Sequence, residues 1–321
     1  MCKCGRVFIG WFGLTILTFQ FFSCQNISST TLNGLKNKLG DQQDFVDTLK
    51  ENTVSRKPLL LDKWDSLQKN LITFHVDSLH PVDIKTQKKN LKDSLRREFN
   101  KQPKHIFLTF DDGPLVGSAA VDSIARAKKI KVNTFLVGRH ATMGKARKRD
   151  LDRYKENPYI ACYNHSFTHA YNKFTTFYNN PASAYADFEK NEEDLGLKHK
   201  IVRLPGRNIW VYDDIRKIDL QSGSSTADLL HTNGYRIYGW DVEWRIQSTT
   251  GIPVVPLNDV YHRIRNFMNN KSSMRPNNVV FLMHDDMFQT RKGKQLLVQL
   301  IDSLQKENYK FEFIEDYPIK Y

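Results

Sequence analysis

The sequence is poor in cysteine and carries no long apolar run outside its first residues. Four cysteines in 321 residues exclude the disulfide-rich class of small folds. No internal repeat or low-complexity tract is present, which excludes solenoids and repeat arrays. A hydrophobic content of 40% with 12% aromatics is that of an ordinary globular protein, so we expect a sizeable core that is stable without disulfides.

The charge balance is strongly basic, with a formal net charge of +13. The basic residues are spread along the chain and no recognised nucleic-acid-binding motif appears, so we predict no nucleic-acid partner. A basic surface favours anionic partners such as acidic envelope polymers or lipid head groups. General basicity without a specific partner is the alternative.

The first residues have the pattern of an export signal. Lys3 and Arg6 precede an apolar stretch, residues 7–23, which gives way to a polar run. A transmembrane helix needs about 20 apolar residues. This stretch is shorter and is interrupted by glycine, threonine and glutamine, so a signal peptide is predicted and a membrane-spanning anchor is the alternative.

The end of the stretch resembles a bacterial lipoprotein processing site. In Phe21-Phe22-Ser23-Cys24 the cysteine stands at the site of lipid attachment, with Phe21 in place of the usual leucine. The resemblance implies that residues 1–23 are removed and that the protein is exported and held on the bacterial cell envelope by a lipid on Cys24. Gln25 favours the outer membrane of a Gram-negative cell, and Cys162 is left without a disulfide partner.

Residues 24–103 and 104–321 differ in character. Up to Pro103 the chain is polar, with scattered apolar residues that permit helices, and we predict a stalk or a small helical module without chemistry. From Lys104 onward short β-rich apolar runs alternate with stretches of helical period. The predicted strands are 105–110, 132–137, 159–164, 201–204, 235–241, 279–283 and 311–314, and the predicted helices include 118–129, 182–195, 225–231 and 292–307.

Strands that alternate with helices favour parallel pairing, because each return to the sheet needs a crossover. The pattern predicts a (β/α) barrel or a doubly wound sheet, and in both folds function lies beyond the carboxyl ends of the strands. Polar residues follow the apolar runs at these ends: Asp111, Asp112, His165, Arg203, Asp241, Glu243 and His284. We expect these side chains to converge on one mouth.

Two of these segments have the character of a metal site. His165 and His169 are four residues apart, so on a helical turn both imidazoles can bind one cation together with a carboxylate. Asp111 and Asp112 are adjacent on a turn, where one can bind a metal while the other faces a water molecule. Taken alone, each segment has a plain alternative: two unrelated surface histidines, and an Asx turn.

Four motifs in order resemble the NodB-like polysaccharide deacetylases, carbohydrate esterase family four. They are TFDDGP at 109–114, HSFTH at 165–169, Arg-x-Pro at 203–205 and Leu-x-His at 282–284. The resemblance covers residues 104–321 and implies an α/β fold, a distorted (β/α) barrel of about seven parallel strands. It also implies the removal of acetyl groups, N-acetyl in the first place with O-acetyl as the alternative, from a cell-envelope or extracellular glycan.

The same resemblance implies a role for each matching residue. Asp112, His165 and His169 would bind a divalent metal, zinc in the first place, with cobalt or nickel as alternatives. Asp111 would be the general base, oriented by Arg203. His284 would be the general acid that donates a proton to the leaving amine.

Two positions depart from the family pattern. Pro205 is followed by Gly206-Arg207-Asn208, where the family often has an aromatic residue in the substrate wall. The fourth motif, usually Asp-x-x-Asp-Trp, is represented by Trp240-Asp241-Val242-Glu243-Trp244, so either Asp241 or Glu243 is expected to support His284. The two tryptophans are either core residues or sugar-stacking surfaces.

Two other functions are alternatives: an amidohydrolase acting on a small C–N substrate, and a non-catalytic envelope lipoprotein that binds glycans. A binding module needs neither a base nor an acid, so the presence of both Asp111 and His284 favours an enzyme. An exported, anchored chain favours a polymer. An acetylated glycan is therefore the predicted partner.

Overall fold

The computed structural model describes residues 81–319, and the predicted signal peptide, Cys24 and the rest of residues 1–80 lie outside the described residues. The first described element is helix α1, Pro81–Lys101, which falls in the segment predicted as a stalk or helical module. The Asn277 side chain donates a hydrogen bond of 2.6 Å to the Phe99 carbonyl near the end of α1. Within this range no helix is both long and apolar enough to cross a bilayer.

Strands and helices alternate from Lys104 onward. The strands are β1 (Lys104–Gly113), β2 (Val132–Leu136), β3 (Ile160–Asn164), β4 (Ile201–Val202), β5 (Trp210–Tyr212), β6 (Ile215–Lys217), β7 (Arg236–Ile237), β8 (Val242–Glu243), β9 (Asn278–His284) and β10 (Tyr309–Phe311). The helices are α2 (Ser118–Lys128), α3 (Gly138–Ala141), α4 (Lys145–Glu156), α5 (Phe174–Tyr178), α6 (Pro181–Leu195), α7 (Ser224–Thr232), α8 (Leu257–Asn270) and α9 (Arg291–Lys306), with short 3-10 turns at His169–Asn172, Asp285–Phe288 and Ile314–Asp316.

One sheet holds all ten strands in the order β6-β5-β7-β4-β3-β2-β1-β9-β8, with β10 beside the start of β1. The pairs are parallel, except that β5 runs antiparallel to β6 and β7. Within residues 81–319 no pairing joins β6 to β8, the two ends of the strand order. The curved sheet therefore stays open and forms an α/β half-barrel.

Six of the seven predicted strands are present; the seventh, predicted at 311–314, is found as β10 at Tyr309–Phe311. Three further strands are also present. The β5–β6 hairpin and β8 were not predicted. The predicted strand 235–241 pairs only over Arg236–Ile237, and the chain then crosses the sheet before β8 pairs beside β9. Asp241 and Glu243 therefore do not follow one strand, as the sequence suggested: Asp241 precedes β8 and Glu243 is part of it.

Side chains alternate between two faces along the central strands. On the inner face of the half-barrel, Phe107 and Val280 pack in an aromatic-rich cluster. On the outer face, Leu108 and Phe281 pack against the helices. This alternation continues to the carboxyl ends of β1 and β9, and it points Asp111 and His284 toward the inner face.

Candidate metal centre and active site

The mouth of the half-barrel is formed where β1 and β9 end side by side. Asp111 on β1 is the direct register partner of His284 on β9. The register between β1 and β2 shifts between Asp111 and Gly113, and Asp112 has a φ of 71° at this irregularity. A bulge of this kind re-aims a side chain, and here the Asp112 carboxylate reaches the histidines that follow β3.

Three side chains meet at one point of this mouth. Asp112 Oδ1 lies 3.1 Å from His169 Nε2 and 3.5 Å from His165 Nε2. Two ligands that bind one zinc ion tetrahedrally at 2.0–2.1 Å are about 3.4 Å apart, so both spacings fit a shared ion. Asp112 Oδ1 is also buried and accepts no hydrogen bond of good geometry from the described residues. The donor set and this unsatisfied oxygen both fit a divalent cation.

The other ring nitrogen of each histidine is fixed by an oxygen. His165 Nδ1 lies 2.9 Å from the Arg203 carbonyl oxygen, and His169 Nδ1 lies 2.8 Å from Asn172 Oδ1. Each oxygen favours the tautomer that is protonated at Nδ1, which leaves the Nε2 lone pair directed at Asp112. Sequence reasoning missed Asn172, although its place three residues after His169 is a usable signal.

The electrostatics of the three groups favour a cation over a proton. Burial lowers the pKa of His165 to about 4, so its imidazole is neutral near pH 7, as a metal ligand must be. Burial alone would raise the pKa of Asp112, but contact with His169 and the charges of His165 and His284 lower it by more. Burial tends to lower the pKa of His169, yet the Asp112 carboxylate raises it overall, so a cation bound here would displace a proton.

Arg203 holds the second carboxylate of the mouth. Its side chain is fully buried, and Nη1 donates to Asp111 Oδ1 at 2.8 Å and to Thr109 Oγ1 at 2.7 Å. The other oxygen, Asp111 Oδ2, lies 3.7 Å from His165 Nε2. Arg203 thus fixes one oxygen of Asp111 and leaves the other beside the candidate metal centre.

The structure does not bring Asp241 or Glu243 to His284. Asp241 accepts hydrogen bonds from the backbone N–H groups of Met274 and Val280, at 3.0 and 2.9 Å. Glu243 accepts from Arg245 Nε at 2.6 Å. Neither carboxylate is within hydrogen-bond or ion-pair distance of His284 in the described part of the chain. Asp241 anchors the start of β9, and burial raises its pKa to about 6.

The two tryptophans of the fourth motif differ, since Trp240 is partly exposed and the centre of its ring lies 5.9 Å from the Arg203 guanidinium. Trp244 is fully buried, and its indole N–H donates to the Val255 carbonyl, so it is a core residue. Phe174, which sequence reasoning missed, packs edge-on against His169 with ring centroids 5.7 Å apart. The buried Arg207 guanidinium lies 5.4 Å from the centre of the Phe174 ring. An aromatic wall therefore exists beside the metal centre, but it comes from α5.

Two further groups near the mouth were also missed. His140 on α3 places Nδ1 2.6 Å from the backbone oxygen of Asp112. Asp285, directly after His284, is fully buried and accepts hydrogen bonds from Tyr154, at 2.8 Å, and from Ser118. His140 comes shortly after the apolar run of β2, so the expectation that functional side chains follow the strands would have identified it. Nothing in the sequence distinguishes Asp285 from an exposed aspartate.

Fold and site together define the class of protein: an open α/β barrel with a candidate metal centre at the carboxyl ends of its strands. Residues 99–218 match the family model described as polysaccharide deacetylase. This segment is a polysaccharide deacetylase domain of the NodB type, as the motifs at 109–114, 165–169 and 203–205 predicted.

The chain is also similar to individual proteins. The putative polysaccharide deacetylase YheN of Bacillus subtilis (strain 168) is 26% identical over 229 residues, which are 69% of this chain and 71% of that protein. The polysaccharide deacetylase Bc1974 from Bacillus cereus is 20% identical and aligns with a TM-score of 0.45 over 68% of this chain and 97% of its own. A Streptococcus mutans CE4 esterase, also 20% identical, aligns with a TM-score of 0.49 over 68% of this chain and 90% of its own.

Proposed function

We propose that the protein is a metal-dependent deacetylase that removes acetyl groups, N-acetyl in the first place with O-acetyl as the alternative, from a cell-envelope or extracellular polysaccharide. The observation that carries the proposal is the placement of Asp112, His165 and His169 around one point, with Asp111 and His284 beside it. Zinc suits two imidazoles and a carboxylate, and cobalt or nickel would be accepted by the same ligands.

When bound there, a divalent cation would supply a water molecule of lowered pKa and polarise the acetyl carbonyl. Asp111 is suited to accept the proton, because Arg203 fixes one of its oxygens and leaves the other facing the mouth. His284 stands across from Asp111 on the neighbouring strand and is only partly buried, so it can donate a proton to the leaving amine.

We further propose that the protein is exported and anchored by a lipid on Cys24. The basic residues and apolar stretch before Cys24 support this, and a surface-anchored enzyme suits a polymer better than a small diffusing amide. Mass spectrometry of the mature N-terminus tests it: an acylated Cys24 is expected, and an intact Met1 with an unmodified Cys24 would contradict it.

The test of the enzyme is acetate release by the zinc-loaded full chain from chitooligosaccharides, acetylated xylan and peptidoglycan, in parallel with a screen of small amides and cyclic ureides. We expect release from at least one glycan. Asp111→Asn should lower the rate by about 10²–10⁴-fold, the usual contribution of a general base, while zinc stays bound. Asp152→Asn, which neutralises an exposed carboxylate on α4, is the matched control and should keep full activity.

Three outcomes would decide against the proposal. A protein with stoichiometric zinc that releases no acetate from any glycan is not a polysaccharide deacetylase. Turnover confined to small amides would identify an amidohydrolase. Glycan binding without turnover, unchanged by Asp111→Asn and by chelation of the metal, would identify a binding protein.

A further inference from the structure

A cavity of about 320 Å³ opens directly beside the candidate metal centre. One wall is formed after β2, by Arg139, His140 and Met143, and the other by Thr168, His169 and Tyr171. His169 belongs both to the metal centre and to this wall, so a ligand in the cavity lies next to the group that reacts. The cavity is therefore placed to hold the part of a substrate that neighbours the acetylated sugar.

The second wall is built from strained backbone. His169, Ala170, Tyr171 and Asn172 have φ values of 53°, 54°, 48° and 59°, which form a left-handed turn without glycine. A left-handed conformation costs about 1–2 kcal/mol for each such residue, and strain of this kind persists mainly at functional sites. The turn presents Tyr171 with 61% of its surface exposed, although a ring of this size is usually partly buried.

Arg139 supplies a positive charge that has no acidic partner. Its guanidinium lies 5.2 Å from the centre of the Tyr171 ring, and no carboxylate of the described residues lies within ion-pair distance of it. Among residues 81–319 no acidic side chain lines the cavity. The planar guanidinium is suited to a carboxylate, which it can bind through two parallel hydrogen bonds. An exposed aromatic ring and a guanidinium without a carboxylate partner among the described residues together match the chemistry of an acidic sugar.

We propose that this cavity binds the sugar next to the acetylated one and recognises a carboxylate on that sugar through Arg139, with Tyr171 packing against the sugar ring. The inference rests on the proposed function and narrows its substrate class to acidic acetylated glycans. It applies to a uronic acid and to a lactyl ether alike, since both present the same planar group.

The experiment compares each carboxylated glycan with the same glycan after reduction of its carboxylates to alcohols. Two carriers are used: hyaluronan oligosaccharides, which contain a uronate, and uncrosslinked glycan strands with free lactyl carboxylates. Arg139→Gln in the zinc-loaded full chain should lower kcat/KM for the preferred carboxylated glycan by about 10- to 100-fold, mostly through KM, since a charge-assisted hydrogen bond is lost. The reduced glycan should change less than about twofold, because it has no charge to lose.

Matched variants separate charge from geometry. Arg139→Lys keeps the charge and loses the planar fork, so its effect should lie between those of wild type and Arg139→Gln. Tyr171→Ala should weaken the carboxylated and the reduced glycan equally, because ring packing does not depend on the carboxylate. Arg149→Gln, which removes an exposed charge on α4, should leave both substrates unchanged.

Calorimetric binding of the same glycan pairs distinguishes failure of this inference from failure of the proposed function. Acetate release with no difference between carboxylated and reduced glycans, or an equal loss on both in Arg139→Gln, overturns the inference and leaves the deacetylase intact. Tighter binding of a carboxylated glycan that Arg139→Gln abolishes, without any acetate release, supports the cavity and contradicts the enzyme.

Discussion

Replacement of Arg203 tests the physical basis of the site most directly. Its guanidinium donates to four groups: Asp111, Thr109, and the carbonyl oxygens of Tyr238 and Gly239, at distances of 2.7–3.1 Å. Arg203→Met would keep an unbranched side chain and remove every one of these donors. Arg203→Lys would keep the charge but could not reproduce the planar fork.

The magnitude follows from what each variant leaves unpaired. Removing one partner of a buried ion pair costs about 3–5 kcal/mol, because the other charge is left without compensation. We therefore expect Arg203→Met to lower the free energy of unfolding by about that amount, a large part of the about 5–15 kcal/mol that stabilises a typical domain. Arg203→Lys still compensates Asp111 and should cost about 1–3 kcal/mol for the lost hydrogen bonds.

Urea unfolding at pH 7 with Arg149→Met as the exposed control measures these costs. Zinc affinity and acetate release are measured on Arg203→Lys, which is expected to fold. Its zinc affinity should stay within a few-fold, because His165 is held by the backbone carbonyl of residue 203 and not by the side chain. Acetate release should fall by about 100-fold, as expected when a catalytic group moves by about 1 Å.

The reasoning would be refuted if Arg203→Met cost less than about 1 kcal/mol, which is the level of an exposed ion pair. Equal costs for the lysine and methionine variants would show that the charge contributes nothing. A loss of zinc in step with the loss of activity would show that the side chain supports the metal ligands rather than Asp111.

Two further predictions concern residues that sequence reasoning missed. His140→Ala removes the contact of 2.6 Å with the Asp112 carbonyl oxygen and should weaken zinc binding by about 10- to 100-fold, as loss of an outer-sphere partner usually does. His140→Gln should recover part of the zinc affinity. Competition with a chromophoric chelator measures both variants, and unchanged zinc affinity in His140→Ala would show that His140 does not support Asp112. Burial raises the pKa of Asp285 to about 7, although the hydrogen bonds from Ser118 and Tyr154 lower it in part. Ionisation of Asp285 therefore destabilises the fold. Its contribution to the free energy of unfolding is fully present below the unfolded-state pKa and is lost as the pH rises through about 7. Tyr154→Phe removes a donor that favours the ionised carboxylate, so its loss of stability in urea unfolding should be larger at pH 8 than at pH 6, and a loss independent of pH would contradict the assignment.

Much of the architecture could be predicted because it depends on local pattern. Apolar runs of strand length bounded by polar residues located six of the seven predicted strands, and the polar residue after a run marked Asp112, His165 and His284 as members of one mouth. This works since the carboxyl ends of parallel strands share one edge. The three side chains predicted to share an ion lie close together, with Asp112 Oδ1 at 3.1 Å from His169 Nε2 and at 3.5 Å from His165 Nε2.

The failures occur where tertiary contacts decide the backbone path. The run from Tyr235 to Asp241 is predicted as one strand, but the carbonyl oxygens of Tyr238 and Gly239 accept hydrogen bonds from Arg203 instead of from a neighbouring strand. The chain then passes to the other side of the sheet, where β8 pairs with β9. Asp241 and Glu243 are therefore displaced from His284. No periodicity in the sequence encodes this, because the interrupting partner is more than 30 residues away.

Asp285 and His284 show the same limit at a single residue. Both are polar and both follow an apolar strand, so the sequence makes them equivalent candidates for the mouth. The structure separates them: His284 is partly exposed, whereas Asp285 is fully buried against Tyr154 and Ser118 on the helices. The direction of the chain as it leaves β9 decides which one can meet a substrate, and that direction is set by packing with α2 and α4.

Arg203 explains why the candidate base and one candidate metal ligand keep one relative position. Its carbonyl oxygen fixes the His165 ring while its guanidinium fixes Asp111, so one residue on the chain just after β4 sets both. Strand β4 itself has only two residues, which pair with β3 and β7 through few hydrogen bonds. The backbone N–H of Arg203 adds a hydrogen bond of 3.0 Å to the Asn164 carbonyl oxygen of β3. The place of Arg203 therefore depends on the sheet and on the buried hydrogen bonds of its side chain together, so the contacts that stabilise the fold at this point also stabilise the geometry of the candidate active site.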